Sequence, residues 1–433
     1  MVQRGVARER RGYGGLRRAV VGVLAAVVLV SACGSSGSSN NKSSGTSGTS
    51  TTASKGVSSS TVEKFLGAPK QATGEPVKVG VISDGRNPAA DNSIEGDVAK
   101  DTFAYLDGYG GIGGRPVKVY VCETHGDPGG ATDCANQMIQ NGVVAVVIGQ
   151  SQVVTNVYTP LHAAHMPTFV YGVFDPNVLG DTTSTFAFGN PFAALSALPI
   201  AVAKANKIKK VAATVIDVPA ATSFWESEGP AQFKKAGISL DVVRIPYSAA
   251  DVTPQMQRIV SSGAGLVHAV GSSGTCTAVM NGLHAVGYTG KITVVQQCVD
   301  ASTRKAVPGS VLKGVNESAT APVDGHPPDP GLAIYQQEIA PKVKGHADAG
   351  SAGELMFISI MGFHVAVEGI TGDITSQNVI ATAKKMPWKL LPGGGVHFRC
   401  SGKAVSGSPA LCVRAGLVTQ LDAKGQPTVY KAV

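Results

Sequence analysis

The sequence predicts an α/β protein built from two parallel, doubly wound sheets. Three observations lead there. Short runs of β-branched and aliphatic residues alternate along the chain with longer segments whose apolar residues recur at helical spacing, the pattern of βα units. Residues 143–171, VVAVVIGQSQVVTNVYTPLHAAHMPTFVY, hold a whole βαβ unit: a strand over 143–148, a loop over 149–155, a helix over 154–165 and a strand over 167–171. The chain also has 433 residues, 43% of them hydrophobic and only 15% charged, enough to bury more than one core.

The N-terminus is a processing segment. Residues 1–18 carry six arginines against the single acid Glu9, which accounts for most of the formal charge of +8 and leaves the rest of the chain with an ordinary surface balance. Nucleic acid is therefore not an expected partner. An apolar run over 19–30 follows, too short to span a bilayer and the right length for a signal-peptide core. Val30-Ser31-Ala32-Cys33 then resembles a bacterial lipobox, so Cys33 is expected to be the lipidated first residue of an exported protein held at the outer face of the cell membrane. From residue 34 to 60 only Lys42, Ala53, Lys55 and Val57 depart from Gly, Ser, Thr and Asn. That segment cannot bury enough to fold and reads as a tether with a reach of roughly 30 Å.

The first strand is expected over 77–82 and a helix over 94–107, with Val98, Phe103 and Leu106 at core spacing. Gly108, Gly110 and Gly113 match a dinucleotide-binding fingerprint in spacing, but that motif follows a strand and opens a helix. Here it follows a helix and precedes the strand 117–121, so it reads as a helix stop and a turn, and no nucleotide cofactor is expected.

From this point the chain resembles the type I periplasmic substrate-binding proteins of the branched-chain amino acid class. The residues that carry the resemblance are GGIGGRPVKVYV, then Asp127-Pro128 opening the helix ATDCANQMIQ, then VVAVVIG with its polar loop, then MPTFVY. The resemblance implies a periplasmic-binding-protein type I fold, two Rossmann-like lobes joined by a three-stranded hinge, with a ligand trapped between them and delivered to an ABC permease. It places lobe one at 75–191 and 322–392, and lobe two at 192–321 and 393–433.

The alternation continues independently of that likeness. Strands are expected over 210–216, 238–244, 266–270, 291–295 and 314–319, and helices over 223–235, 252–261 and 276–286. Two further helices, 331–340 and 352–370, follow the Pro-rich PVDGHPPDP, and the tail after 393 reads as short strands and hairpins.

With Cys33 lipidated, six cysteines remain, an even number in an exported chain, which favours disulfides among fifteen possible pairings. The local pairs Cys122–Cys134, Cys276–Cys298 and Cys400–Cys412 are preferred, since each falls within one supersecondary unit. There is no CxxC, and His162 and His165 lack a third ligand nearby, so no metal is expected.

No enzyme constellation stands out. Gly271-Ser272-Ser273-Gly274 lacks the GxSxG elbow, and neither an HExxH nor a Walker loop occurs. Polar residues instead gather at strand ends, where open α/β sheets bind ligands. The candidates are Asp84 and Arg86 after the first strand, Ser151, Gln152 and Thr155 after the third, and Tyr171 and Phe174 after the next. Thr222 and Ser223, Ser272 and Ser273, and Gln297 come from the second half. Family members commonly use a second-lobe carboxylate for the ligand ammonium and an aromatic cover. Ser272 and Ser273 stand where the aromatic residue is common and Gln297 near the acid's place, with Asp217 or Asp300 as substitutes, which opens the ligand to amides, urea-like compounds, hydroxy acids or sugars. The expectation is a monomeric solute-binding protein for a small polar ligand such as an amino acid, amide or organic acid. A ligand-sensing module signalling through a membrane partner ranks second and a hydrolase third.

Overall fold

In a computed structural model the chain is described over residues 58–87, 91–246, 249, 251–322, 329–343 and 350–433. The expected signal peptide, Cys33 and most of the tether lie outside these residues.

Five strands, β1 (Val77–Ser83), β2 (Val117–Glu123), β3 (Ala145–Gln150), β4 (Thr168–Gly172) and β5 (Thr185–Ala187), form a sheet in the order β2-β1-β3-β4-β5. Every neighbouring pair is parallel. A central strand covered on both faces needs apolar residues at consecutive positions, and β3 supplies them: Ala145 to Ile148 are fully buried. On one face Ile82, Val146 and Ile148 pack with Met138, Val157 and Leu161 of the helices Pro128–Asn141 and Val154–Ala163. On the other, Val79, Val147 and Phe169 pack with Phe103 of the helix Ile94–Asp107 and with the helix Gly350–Ala366. That last helix enters the sheet's core, with Phe363 4.7 Å from Phe169 between ring centres and Ser359 Oγ donating to the Ile148 carbonyl at 2.9 Å. Its apolar residues lie on every side because its middle is enclosed, with Met356, Phe357, Ile358, Ile360 and Met361 at 0% exposure.

The second sheet contains β6 (Lys210–Ile216), β7 (Ser239–Ile245), β8 (Leu266–Val270), β9 (Lys291–Val294) and β10 (Asn316–Ala319). Two short strands, β11 (Lys389–Leu390) and β12 (His397–Phe398), pair with each other, Phe398 also bridging Val413, and β13 (Leu417–Leu421) and β14 (Pro427–Ala432) return to the second sheet. Its order is β14-β13-β10-β9-β8-β6-β7, parallel from β10 to β7 and antiparallel where β13 joins β10 and β14. The expected doubly wound sheets are present, the second with a mixed edge.

The glycine run is a turn. Gly110, Gly111, Gly113 and Gly114 all have positive φ, between 55° and 99°, a conformation side chains rarely adopt, and they link a helix end to β2. All three disulfides form as expected: Cys122–Cys134 ties β2 to the following helix, Cys276–Cys298 ties the helix Ser273–Ala285 to the turn after β9, and Cys400–Cys412 closes the loop beyond β12.

The helix expected over 223–235 is two helices, Pro219–Glu226 and Gly229–Lys235. Pro230 has no N–H to give and obstructs the carbonyl four residues earlier, so the chain breaks and restarts with proline in the first turn. The helix expected over 331–340 is a short α-helix, Pro330–Ile334, continued by a π turn and a 3-10 turn. The 3-residue strand β5 and the helices Leu198–Ala205 and Ser376–Lys385 were not anticipated.

Three segments join the sheets. The first runs through Phe188 to Phe192, the second beyond Thr320, and the third through residues 414–416. Before the third, Phe398 meets Phe188 edge-on at 5.5 Å and Leu411 bridges Ala187, so this part of the tail packs with the first sheet. The lobe boundary expected at residue 393 lies ahead of that segment. Asn190 fastens the first crossing to the third: its Nδ2 donates to the Arg414 carbonyl at 2.7 Å, and its Oδ1 accepts from the Phe192 N–H at 3.0 Å.

Candidate functional site: a cleft between two sheet edges

A cavity of about 650 Å³ lies between the carboxyl ends of the strands of both sheets. From the first sheet it takes Gln150 and Gln152 at the end of β3 and Tyr171 to Phe174 at the end of β4. From the second it takes Ile216 and Val218 at the end of β6, Val270 to Ser273 at the end of β8, Val295 to Gln297 after β9, and Ser318 to Thr320 at the end of β10. The crossings supply the floor, through Phe188 to Pro191 and Ala415 to Leu417. Parallel strands end in one plane and their loops project from it, so two facing parallel sheets place six loops round one space.

Six of the candidate residues line this cavity: Gln152, Tyr171, Phe174, Ser272, Ser273 and Gln297. Phe174 is 53% exposed at the mouth. The Tyr171 hydroxyl is hydrogen-bonded to Thr320 of the facing lobe, and burial pushes its phenol well above the ordinary value, so it is a neutral group there. Ser272 caps the helix Ser273–Ala285 by accepting from the Thr275 N–H at 3.3 Å. Ser273 is hydrogen-bonded to Asp300, whose carboxyl is held below the usual range, first by the Ser302 hydroxyl and then by the Thr303 N–H.

The other six candidates do not line the cavity, and each has a structural reason. Asp84 is fully buried beneath the first sheet's edge, accepting from Thr124 Oγ1 at 2.7 Å, Ser151 Oγ at 2.7 Å and the Gln152 N–H at 2.6 Å. Ser151 is thereby turned inward, and its own oxygen accepts from the Val153 N–H at 3.1 Å. Arg86 projects to solvent and pairs with Asp91 at 2.7 Å. Thr155 donates to Asp175 at 2.6 Å. Thr222 is buried within the helix Pro219–Glu226, and Ser223, exposed on that helix, accepts from Ser227 through its carbonyl. Asp217 and Asp300 are not in the lining either; Asp217 lies 3.2 Å from Arg244.

The residues that sequence reasoning passed over are mostly apolar: Phe188, Leu195, Ile216, Phe224 and Leu417. Nothing distinguishes them in the sequence from core residues. Gln150 had a signal, as the residue that follows the β3 glycine. Its N–H donates to Glu95 Oε1 at 3.0 Å, and Glu95, buried at 0% exposure, also accepts from Ser83 Oγ at 2.5 Å. Burial pushes the Glu95 carboxyl up to about 8. Among the described residues no group of three or more His, Cys, Asp or Glu side chains is placed to hold a metal ion, and no helix is long and apolar enough to cross a membrane. His162 lies 3.3 Å from Asp181.

Comparison with known proteins gives the cleft its context. The periplasmic binding protein family matches residues 76–425, which hold the first sheet, the second sheet as far as β13, and all three crossings. The chain belongs to the periplasmic binding protein family. No curated protein is close enough in sequence to this binding protein to match it. Among solved structures, a putative branched-chain amino acid ABC transporter from Rhodospirillum rubrum superposes with a TM-score of 0.66 at 13% identity, covering 83% of this chain and 100% of that one. An ABC transporter substrate-binding protein from Sphaerobacter thermophilus gives 0.64 at 19% identity, over 83% and 96% of the two chains. The branched-chain amino acid transporter substrate binding protein LivJ from Streptococcus pneumoniae, in complex with isoleucine, gives 0.62 at 13% identity, over 83% and 99%. At these identities the likeness is one of fold.

Proposed function

We propose that this binding protein is the exported, lipid-anchored receptor of an ABC importer, closing its two lobes on a small ligand and presenting the closed form to a membrane permease. The observation that carries the reading is the placement of the cleft: its walls come from the strand ends of two sheets joined by crossings, of which the first and third are fastened side by side by Asn190 and Arg414. A ligand touching both walls holds them together, and a permease that recognises the closed arrangement distinguishes loaded from empty protein. The solved structures of ABC substrate-binding proteins with this fold support the transport role. The lipobox at Cys33 supports the anchor, and the glycine- and serine-rich segment behind it supplies the reach to a permease in the same membrane.

The reading has a direct test. Small molecules released from the purified protein by denaturation are identified by mass spectrometry, then returned to refolded protein during calorimetry and small-angle scattering. One ligand per chain, chemically unchanged, with compaction on binding, is expected. Ser273→Ala and Gln297→Ala should each weaken binding by about 1 kcal/mol, the net worth of one hydrogen bond. Unchanged affinity in both variants together with an unchanged scattering profile would remove the interlobe cleft as the site.

A further inference from the structure

Resting on the cleft being the ligand site, the chemistry of its lining narrows the ligand class: we propose that this cleft takes an uncharged molecule with an apolar body and neutral hydrogen-bonding edges, and not a free amino acid. Among the described residues, no Asp, Glu, Lys, Arg or His lines the cavity. Its surface is mostly hydrocarbon, from side chains such as Phe188, Leu195, Ile216, Phe224, Val295 and Leu417. Its polar groups are amides and hydroxyls, among them Gln150, Gln152, Gln297, Ser273 and Thr320. The volume of about 650 Å³ sits within the range of roughly 300–1,000 Å³ of small-molecule sites.

A zwitterion would bring an ammonium and a carboxylate out of water together. An ionised group is buried only against a partner of opposite charge or a full set of hydrogen bonds. The aspartates that could receive an ammonium are already engaged. Asp217 lies against Arg244 at 3.2 Å, and Asp300 accepts from Ser302 at 2.6 Å, from the Thr303 N–H at 2.8 Å and from Ser273. Asp84 holds three donors, and Asp329, behind the lining residue Gly394, accepts from the backbone N–H groups of Gly331, Leu332, Gly393 and Gly395. At the helix that opens at Ser273, the Thr275 N–H is capped by Ser272 itself. Glutamine amides each offer a donor and an acceptor, which matches a ligand whose own groups are carbonyls, hydroxyls or amides.

The test uses a matched pair of dyes on the mature protein: N-phenylnaphthylamine, which is neutral, and anilinonaphthalene sulfonate, the same aromatic frame with a permanent negative charge. Fluorescence titration is expected to show the neutral dye binding one per chain and at least tenfold tighter than the charged one. L-Leucine at millimolar concentration should leave it bound. Ala221→Trp, which fills the cavity from the helix Pro219–Glu226, should abolish binding while circular dichroism shows a folded chain; Gln297→Lys, which adds a cation to the lining, should narrow the gap between the dyes. Equal affinity for both dyes, displacement by leucine at up to millimolar concentration, or no binding of the neutral dye would overturn the proposal. If Ala221→Trp removes binding in the first two of those cases, the cleft stands as the site and only the ligand class falls. Neutral-dye binding that persists in Ala221→Trp would instead overturn the cleft as the site, and the proposal with it.

Discussion

Replacing Asp84 should unfasten the loop that carries Gln150 to Gln152 into the cleft. Its carboxylate is 0% exposed, and Oδ1 accepts the Thr124 and Ser151 hydroxyls while Oδ2 accepts the Gln152 N–H. Hydrogen bonds to a charged group contribute about 1.5–3 kcal/mol each. Removing the carboxylate also removes the cost of burying it, so the lower value applies, and three such bonds give a loss of about 4.5 kcal/mol for Asp84→Ala. Asp84→Asn keeps an oxygen for the two hydroxyls and turns an NH₂ toward the Gln152 N–H, leaving one buried donor unpaired at about 1–3 kcal/mol. Urea unfolding gives the stability change. Because the two lobes hold separate cores, hydrogen exchange at the amides of β1 and β3 assigns the loss to the first lobe. The Gln152 amide should lose protection in both variants. If Asp84→Ala stays within about 0.5 kcal/mol of the parent, the scatter of an ordinary surface substitution, the carboxylate is not the tie.

Three further outcomes are expected. Burial raises the Glu95 carboxyl from 4.5 to about 8, so the folded chain keeps a proton that the unfolded chain releases across that window, and stability should fall as the pH rises through it. Glu95→Gln should flatten the slope in part, since Glu317 and Glu354, raised to about 8 and about 7, titrate over the same range; an unaltered slope in pH-dependent melting would refute the assignment. Replacing both Cys122 and Cys134 with alanine opens a loop with a sequence separation of 12 and should cost about 3 kcal/mol in denaturant unfolding, and the parent chain should show no alkylatable thiol after Cys33 under denaturing, non-reducing conditions. Cys33→Ala should release the protein into the medium; retention in the membrane fraction would show that the anchor lies elsewhere.

Much of the architecture could be read from the residues alone, for a local reason. A strand buried on both faces must be apolar at consecutive positions, so β6 and β8 were placed at their observed bounds. The helix Ile94–Asp107 was likewise placed, since its apolar spacing ends at the glycine turn. Each disulfide joins neighbouring elements, so a pairing by proximity along the chain sufficed. The misses have local causes too. β5 has three residues, fewer than periodicity needs, and the Ser376–Lys385 helix carried a legible start that was passed over, Thr375 capping the Asn378 N–H.

The tertiary structure decided what depends on relative placement. Strand-end polarity marked twelve candidates, and a polar side chain at a strand end can face a neighbouring loop as readily as the cleft. Asp84 and Ser151 face each other and Thr155 faces Asp175, whereas Ser273 and Gln297 reach the cavity. Sequence determines which residues follow a strand; which way a loop turns depends on the strand order β2-β1-β3-β4-β5, set by contacts between segments far apart in the chain. The charge-free lining has the same origin. The apolar residues that make it, Phe188 and Phe224 among them, look like core in the sequence, and only the facing of two sheet edges leaves them round a space that a ligand can enter.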